Sequence, residues 1–370
     1  MKILGYALAA MLVLGVSAQN AHAQQQVKTE KYAETPYPVG NIAFDHNGEL
    51  IFSNHPFFAP EVRVMHYDPR TKKSTPYPNA EWNTRRTTDD RYLDDVLGLR
   101  NDSQGVVWML DMGTKSGVTP KLVGWNTRAN KLERIYYIPA PASLRTSQLN
   151  DFVLDETRGV AVIADEEIAN GGDGTKAALV ILDMKTGATR RVLAGDKSTR
   201  PENMPIVSDG KQLNIPGTQK PILVGADGIT LDRSNTWLYF APLNGSAVYR
   251  IRMDDLLRTP DNALPGKVET YAKKKNNGGL SIDVEGNLYL TYVGDKAVGV
   301  IPADTRTART YAADAQLIWP DGVSYNKDGY MYVSAAQLPL AGVFNNGKDM
   351  TRKPFAIFRF KPLAPGIWGR

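Results

Sequence analysis

Apolar and polar positions alternate most legibly between positions 224 and 258. Residues 225–227 read as a turn, 229–231 as a strand, 232–236 as a polar turn and 237–240 as a second, apolar strand. Asn244-Gly245 then marks a hairpin into Ala247–Arg252, and Met253–Arg258 carries a short helical pattern. Gly, Asn and Asp supply positive φ or local side-chain hydrogen bonds at the turns, while β-branched and aromatic runs suit a pleated, half-buried surface. The stretch is one unit of antiparallel sheet.

Five other stretches repeat it. They begin at 40–54, 95–111, 150–165, 278–293 and 320–335, and each is followed by a further apolar strand. With Ile42, Leu97, Phe152, Ile229, Leu280 and Val323 taken as equivalent, the steps are 55, 55, 77, 51 and 43 residues. Several short strands recurring at about 40–50 residues signal a β-propeller. No long window keeps a 3.6-residue apolar period, which argues against a helical fold. The pattern predicts an all-β, six-bladed propeller with four-stranded antiparallel blades around a central tunnel. It forms one domain over 39–362, with a polar segment at 24–38 able to add a ring-closing strand and a tail at 363–370. The long third step holds an insertion at 196–221, a length of loop that is usually functional or a lid.

Composition then sets the compartment. Lys2, an apolar run at 3–16 and Ala21-His22-Ala23 form the pattern of an export signal cut after Ala23, leaving 347 residues. The run is shorter than the about 20 residues of a membrane span and is interrupted by Gly5, Tyr6 and Gly15. With no cysteine, disulfides and thiol chemistry are excluded, and export points to a periplasmic or secreted protein, expected to be a monomer. The formal charge of +5 is spread thinly. Its longest basic run, Lys273-Lys274-Lys275, reads as a solvated loop without interleaved aromatics, so no nucleic-acid partner is expected.

The fourth unit carries a family likeness. Its residues are Gly228-Ile229, Leu238-Tyr239-Phe240, Ala241-Pro242-Leu243, Tyr249 and Leu256-Leu257-Arg258, supported by Leu149-Asn150-Asp151 and Asp321-Gly322. On these, over about 36–362, the chain resembles the major royal jelly protein/yellow family. The resemblance implies a six-bladed propeller with a ligand-accessible tunnel. Its members include amine-binding salivary proteins, pigment-pathway proteins linked to dopachrome conversion, and nutritive proteins without catalysis. A more distant likeness is to the gluconolactonase/senescence-marker propellers. Their axial metal is held by a Glu, two Asn and an Asp from the starts of blades one, three, four and five. The corresponding positions here are Asn41, Asn150, Asp227 and Gly278-Gly279, of which Asn150 matches in type.

In a propeller, the turn that enters each innermost strand and the loop that leaves the second strand meet near the axis. The first set is Asn41, Asp95, Asn150, Asp151, Asp227, Gly279 and Asp321; the second is His55, Asp111, Asp165, Glu166, Pro242 and Tyr292. Hard oxygen donors without thiolates favour Ca²⁺ or another divalent cation, with Asn150, Asp227 and Asp95 as the candidate ligands. Convergent carboxylates also suit a cationic amine, and crowding raises one pKa toward that of a general base. Against both stands the ordinary role of Asp and Asn at a strand entrance, which is to bond the local backbone. The candidate catalytic residues are Asp227 and His55. The candidate ligand-binding residues are Asp95, Asn150, Asp151, Asp227, Asp321 and Tyr292, with Phe57 and Phe58 as further lining. No serine or cysteine sits as a covalent nucleophile, and no organic cofactor is expected. Two functions follow as expectations: binding of an amine, catechol or lactone-like molecule, or metal-dependent hydrolysis of lactones or esters. If the protein is an enzyme, dopachrome conversion is the other activity that the resemblance implies.

Overall fold

The structure is a computed structural model and describes residues 26–370. The expected signal at 1–23 and its cut after Ala23 lie outside these residues. No helix among the described residues is long and apolar enough to cross a membrane.

Six four-stranded antiparallel sheets form the ring. Their innermost strands are Val39–Phe44, Val96–Asn101, Leu149–Asp155, Ala226–Leu231, Leu280–Ile282 and Pro320–Tyr325. The sixth blade takes its outer strand from the other end of the chain. Glu30–Thr35 pairs antiparallel with Phe355–Phe360, from Glu30 opposite Arg359 to Thr35 opposite Phe355. That pairing completes blade six from both ends of the chain and so closes the ring. Tyr32 secures it by stacking edge-on against Tyr67 of blade one and Tyr332 of blade six.

The core is divided among the blade junctions. Ala43, Ile51, Leu99 and Met109 pack blade one on blade two. Phe152, Leu154 and Trp108 join two to three, Ile229 and Phe240 join three to four, and Leu280 and Leu290 join four to five. Val323 with Tyr289, and Ile42 with Tyr332, complete the circle. A single blade has no partner for either face, so burial at each junction depends on the whole ring.

The repeat is set by its turns. The Asp that follows an innermost strand accepts backbone N–H groups across the turn: Asp45 from Asn47 and Glu49, Asp102 from Gln104 and Val106, Asp283 from Glu285 and Asn287. The matching position of positive φ is Gly48, Gly105 and Gly286 in these turns, and Asn235 in blade four.

Most innermost strands carry a register shift near their start: Val39/Ile42, Val96/Leu99, Leu149/Phe152, Ala226/Ile229 and Pro320/Val323. This corrects the sequence alignment in blade two, where the residue equivalent to Ile42 is Leu99 rather than Leu97. The axial position there moves from Asp95 to Leu97-Gly98. Gly98, Gly228, Gly279 and Gly322 then fall at one equivalent site, where an added Cβ would collide with the backbone of the next blade. Asn41 and Asp151 occupy that site in blades one and three.

Both ends of the axis are covered. At the end carrying the Asp turns, the tail crosses from blade to blade. Gly366 bridges to Asp283, Leu363 N–H donates to the Tyr289 hydroxyl, Trp368 Nε1 donates to the Asp102 carbonyl, and Arg370 donates to Leu154 O and Asn235 Oδ1. At the other end Ile206 and Leu213 of the insertion, with Ile222 just after it, pack against Val293, Trp319, Leu338 and Phe58. Buried Asn244 anchors it, accepting from Val224 N and donating to the carbonyls of Met204 and Ile222.

Candidate functional site

The register shifts aim short polar side chains at the axis beneath this apolar cap. Asn150 is the hub. Its Nδ2 lies 2.9 Å from Glu166 Oε1 and 2.7 Å from Asp227 Oδ1, joining blade three to blade four. Glu166 follows the second strand of blade three, and its other oxygen accepts from Gln148 Nε2. All three are buried.

Burial raises the Glu166 carboxyl to about 8, with the charge of Asp321 adding to the effect and the Asp227 contact opposing it. Asp227 is raised well above its ordinary range, first by burial and then by the charges of Glu166, Asp321 and Asp151. Two interacting carboxyls raised together hold a proton at neutral pH as a pair.

Asp321, from blade six, brings the third acid. Its Oδ2 is buried without a hydrogen bond, and His55 Nε2 stands 3.4 Å away. The ring of His55 accepts the Phe57 N–H at Nδ1, so the neutral imidazole carries its proton on Nε2, facing that carboxylate. Phe57 and Phe58 stack edge-on around the same ring.

Deeper along the axis lies a residue that sequence reasoning missed. Arg100, 1% exposed, donates from Nη2 to Asp151 Oδ2 at 2.6 Å and from Nη1 to Asn41 Oδ1 at 3.2 Å. Asn41 Nδ2 donates to Asp151 Oδ1 at 3.2 Å. The guanidinium thus fills the axis between blades one and three and neutralises Asp151, whose carboxyl burial still raises to about 6. A signal existed: Arg100 is the one charged residue of its innermost strand, VLGLRN, directly after an apolar run.

The other candidates lie elsewhere. Asp95 takes the Thr114 hydroxyl, and its backbone N–H is held by Asp111, so its contacts are local to blade two. Burial raises its carboxyl to about 6. Asp111 binds the N–H groups of Asp94, Asp95 and Gly113 and lies 2.9 Å from Lys121 Nζ. Asp165 repeats this with the N–H groups of Gln148 and Glu167 and with Arg191. Both are strand-entrance staples. Tyr292 turns away from the axis: its neighbour Thr291 donates to the Asp321 carbonyl, while the Tyr292 ring packs over Gly299 between blades four and five.

The axial set therefore comprises Asn150, Glu166, Asp227, Asp321 and His55, with Asp151 tied to Arg100. For a divalent cation, Glu166, Asp227 and the Asn150 amide oxygen form a suitable hard-donor group once the amide is turned, since its O and N exchange places at no steric cost. Blades one and five add no acid to it. Among the described residues, the cluster of acid and histidine ligand atoms lying within 4.8 Å of one another is Asp45, Glu49 and His66, in blade one. Within it His66 Nε2 lies 2.9 Å from Glu49 Oε2.

Three solved structures show the same fold. A luciferin-regenerating enzyme aligns with TM-score 0.58 and 15% identity over 92% of this chain and 97% of its own. A putative gluconolactonase gives 0.56 and 12% over 92% and 94%. Regucalcin, a calcium-binding protein from Agrobacterium tumefaciens, gives 0.59 and 13% over 93% and 97%. No curated protein matches the chain in sequence. Major royal jelly protein is the family that matches, over residues 96–361. That match runs from the innermost strand of blade two into blade six, and the chain belongs to the major royal jelly protein family.

Proposed function

We propose that the chain is an exported propeller that binds a small, positively charged molecule, an amine with an apolar body, at the axial carboxylates. The observation that carries this reading is the excess of buried acid. Glu166 and Asp227 are buried at the axis, half-buried Asp321 lies beside them with its Oδ2 making no hydrogen bond, and the nearest basic groups are engaged elsewhere. Arg100 is spent on Asp151, and Lys274 Nζ donates to the carbonyls of Pro242 and Gly245, each at 2.8 Å. Without ligand, burial keeps the Glu166–Asp227 pair protonated, and a cation bound beside it would favour the ionised form and gain the charge contact. The cap of Ile206, Leu338, Trp319 and Phe58 supplies the apolar surface such a ligand would face. Because the cap packs over the axis, binding requires movement of the 196–221 insertion.

A second reading is favoured by one feature, the Asn150 amide set between two carboxylates. With a divalent cation on Glu166, Asp227 and Asn150, the site would polarise a lactone carbonyl, and His55 would handle the proton. Titration calorimetry against aromatic amines, catechols and sugar lactones, with and without Ca²⁺, separates the two. Saturable amine binding that is indifferent to EDTA supports the first reading. Lactone turnover that EDTA abolishes and Ca²⁺ restores supports the second, and silence on every arm refutes both.

A further inference from the structure

Two sequence features have no part in the axial site: the basic run at 273–275 and Tyr292. They meet in the groove between blades four and five. A cavity of about 500 Å³ opens there, lined by Lys273, Lys275, Arg306, Arg309, Thr310 and Tyr292, and no carboxylate lines it. The run is not a uniformly solvated loop. Lys274 is buried and donates to backbone carbonyls, fixing the segment so that Lys273 and Lys275 remain exposed on either side of it.

The charges around the cavity come from two segments about thirty residues apart, and most lack a counter-charge. Lys275 is paired with Asp295 at 2.7 Å. Lys273, Arg306 and Arg309 have no acidic partner among the described residues. Aromatic faces hold both guanidiniums in place without neutralising them. Arg306 lies 4.8 Å from the Tyr271 ring centre and Arg309 lies 5.5 Å from that of Tyr311. The Arg309 Nε is buried and makes no hydrogen bond. Pre-positioned guanidiniums facing a concave space match the fork geometry of a multivalent oxyanion.

We propose that this groove is a binding site for a small, multiply charged oxyanion, held chiefly by Arg306, Arg309 and Lys273 and separate from the axial site. Phosphate and polycarboxylate ligands share this chemistry, so both are tested. The full chain is titrated calorimetrically with pyrophosphate and with citrate, and with acetate as the monovalent control, at a fixed ionic strength of about 0.15 M. One saturable site per chain is expected for at least one of the two, and the tighter binder identifies the class. Binding should weaken at least about tenfold in Arg306→Gln, whose side chain is exposed, and further in the Arg306→Gln/Arg309→Gln pair. Lys131→Gln, on the outer strand of blade two, should leave it unchanged, as should Asp227→Asn. Absence of saturation by either anion up to about 10 mM overturns the proposal. So does an equal loss in Lys131→Gln, which would mark a general response to charge. A loss in Asp227→Asn alone would move the anion to the axis and equally overturn it.

Discussion

The ligand-free protein should lose stability as the pH rises through neutrality, and the Glu166–Asp227 pair should be responsible. In the unfolded chain Glu166 titrates near its ordinary 4.5, whereas burial holds it at about 8 in the fold. Between those values the folded state keeps a proton that the unfolded state has lost. The contribution is therefore complete below pH 4.5 and disappears as pH climbs through about 8. At about 1.4 kcal/mol per pH unit, the interval from pH 5 to 7 removes on the order of 3 kcal/mol. Asp151 and Asp95, both raised to about 6, act in the same direction over the lower half of that range. Lys274, lowered to about 7 by burial, opposes the trend above neutrality, so the window below pH 7 is the clean one. Urea unfolding at half-unit steps from pH 5 to 7 measures the slope. In Glu166→Gln the titrating proton at that position is gone, while burial still holds Asp227 up, so the slope should fall by roughly one proton, about 1.4 kcal/mol per pH unit. A variant whose slope parallels the wild type, or a wild type that gains stability over this window, would falsify the assignment of the proton to this pair.

Four other outcomes follow from the same structure. Arg100→Met leaves Asp151 buried and unpaired and should cost about 3–5 kcal/mol by urea unfolding, with Arg100→Met/Asp151→Asn recovering part of it. Gly322→Ala drives a Cβ into the backbone at Asn41 and should cost about 1–3 kcal/mol, measured the same way. Trp368→Ala removes the contacts with Phe44 and Lys327 that seat the tail, and a loss of about 2 kcal/mol is expected in thermal unfolding. Asn244→Ala frees the insertion from its two carbonyl anchors, so limited proteolysis should cut within 205–220 several-fold faster while the blades stay intact.

Most of the ring was legible because each blade repeats a local rule. An Asp and a Gly or Asn at the turn, flanked by two apolar strands, recur at nearly fixed spacing, and the closing strand at Glu30–Thr35 is the segment the sequence left over. The register shift at the strand entrance was not legible. In blade two Asp95 stands just ahead of the apolar pair Val96-Leu97, as Asn41 stands ahead of Ile42, and so Leu97 passed for Leu99 and Asp95 was set at the axis in place of Leu97-Gly98. Asn150, Asp227 and Asp321 were placed at the axis because they are polar residues at the start of an innermost strand, just ahead of its apolar run. Tyr292 was misplaced because it adjoins Thr291, and successive strand residues face opposite ways. Arg100 was missed because a lone charge inside a strand reads as a surface residue unless every position facing the axis is known. The basic groove could not be read at all, since Lys273 and Arg306 are joined only by the contact between two blades.

The central claim is that the axial carboxylates select positive charge, and a matched ligand pair tests it most directly. An aromatic amine identified by the calorimetric panel is compared at pH 7 with the alcohol in which a hydroxyl replaces its ammonium, on the wild type and on Asp227→Asn. The account predicts that the wild type prefers the amine by at least about tenfold, roughly 1.4 kcal/mol, and that Asp227→Asn loses this preference while still binding the alcohol. Equal affinity for amine and alcohol in the wild type, or a preference that survives in Asp227→Asn, would contradict it.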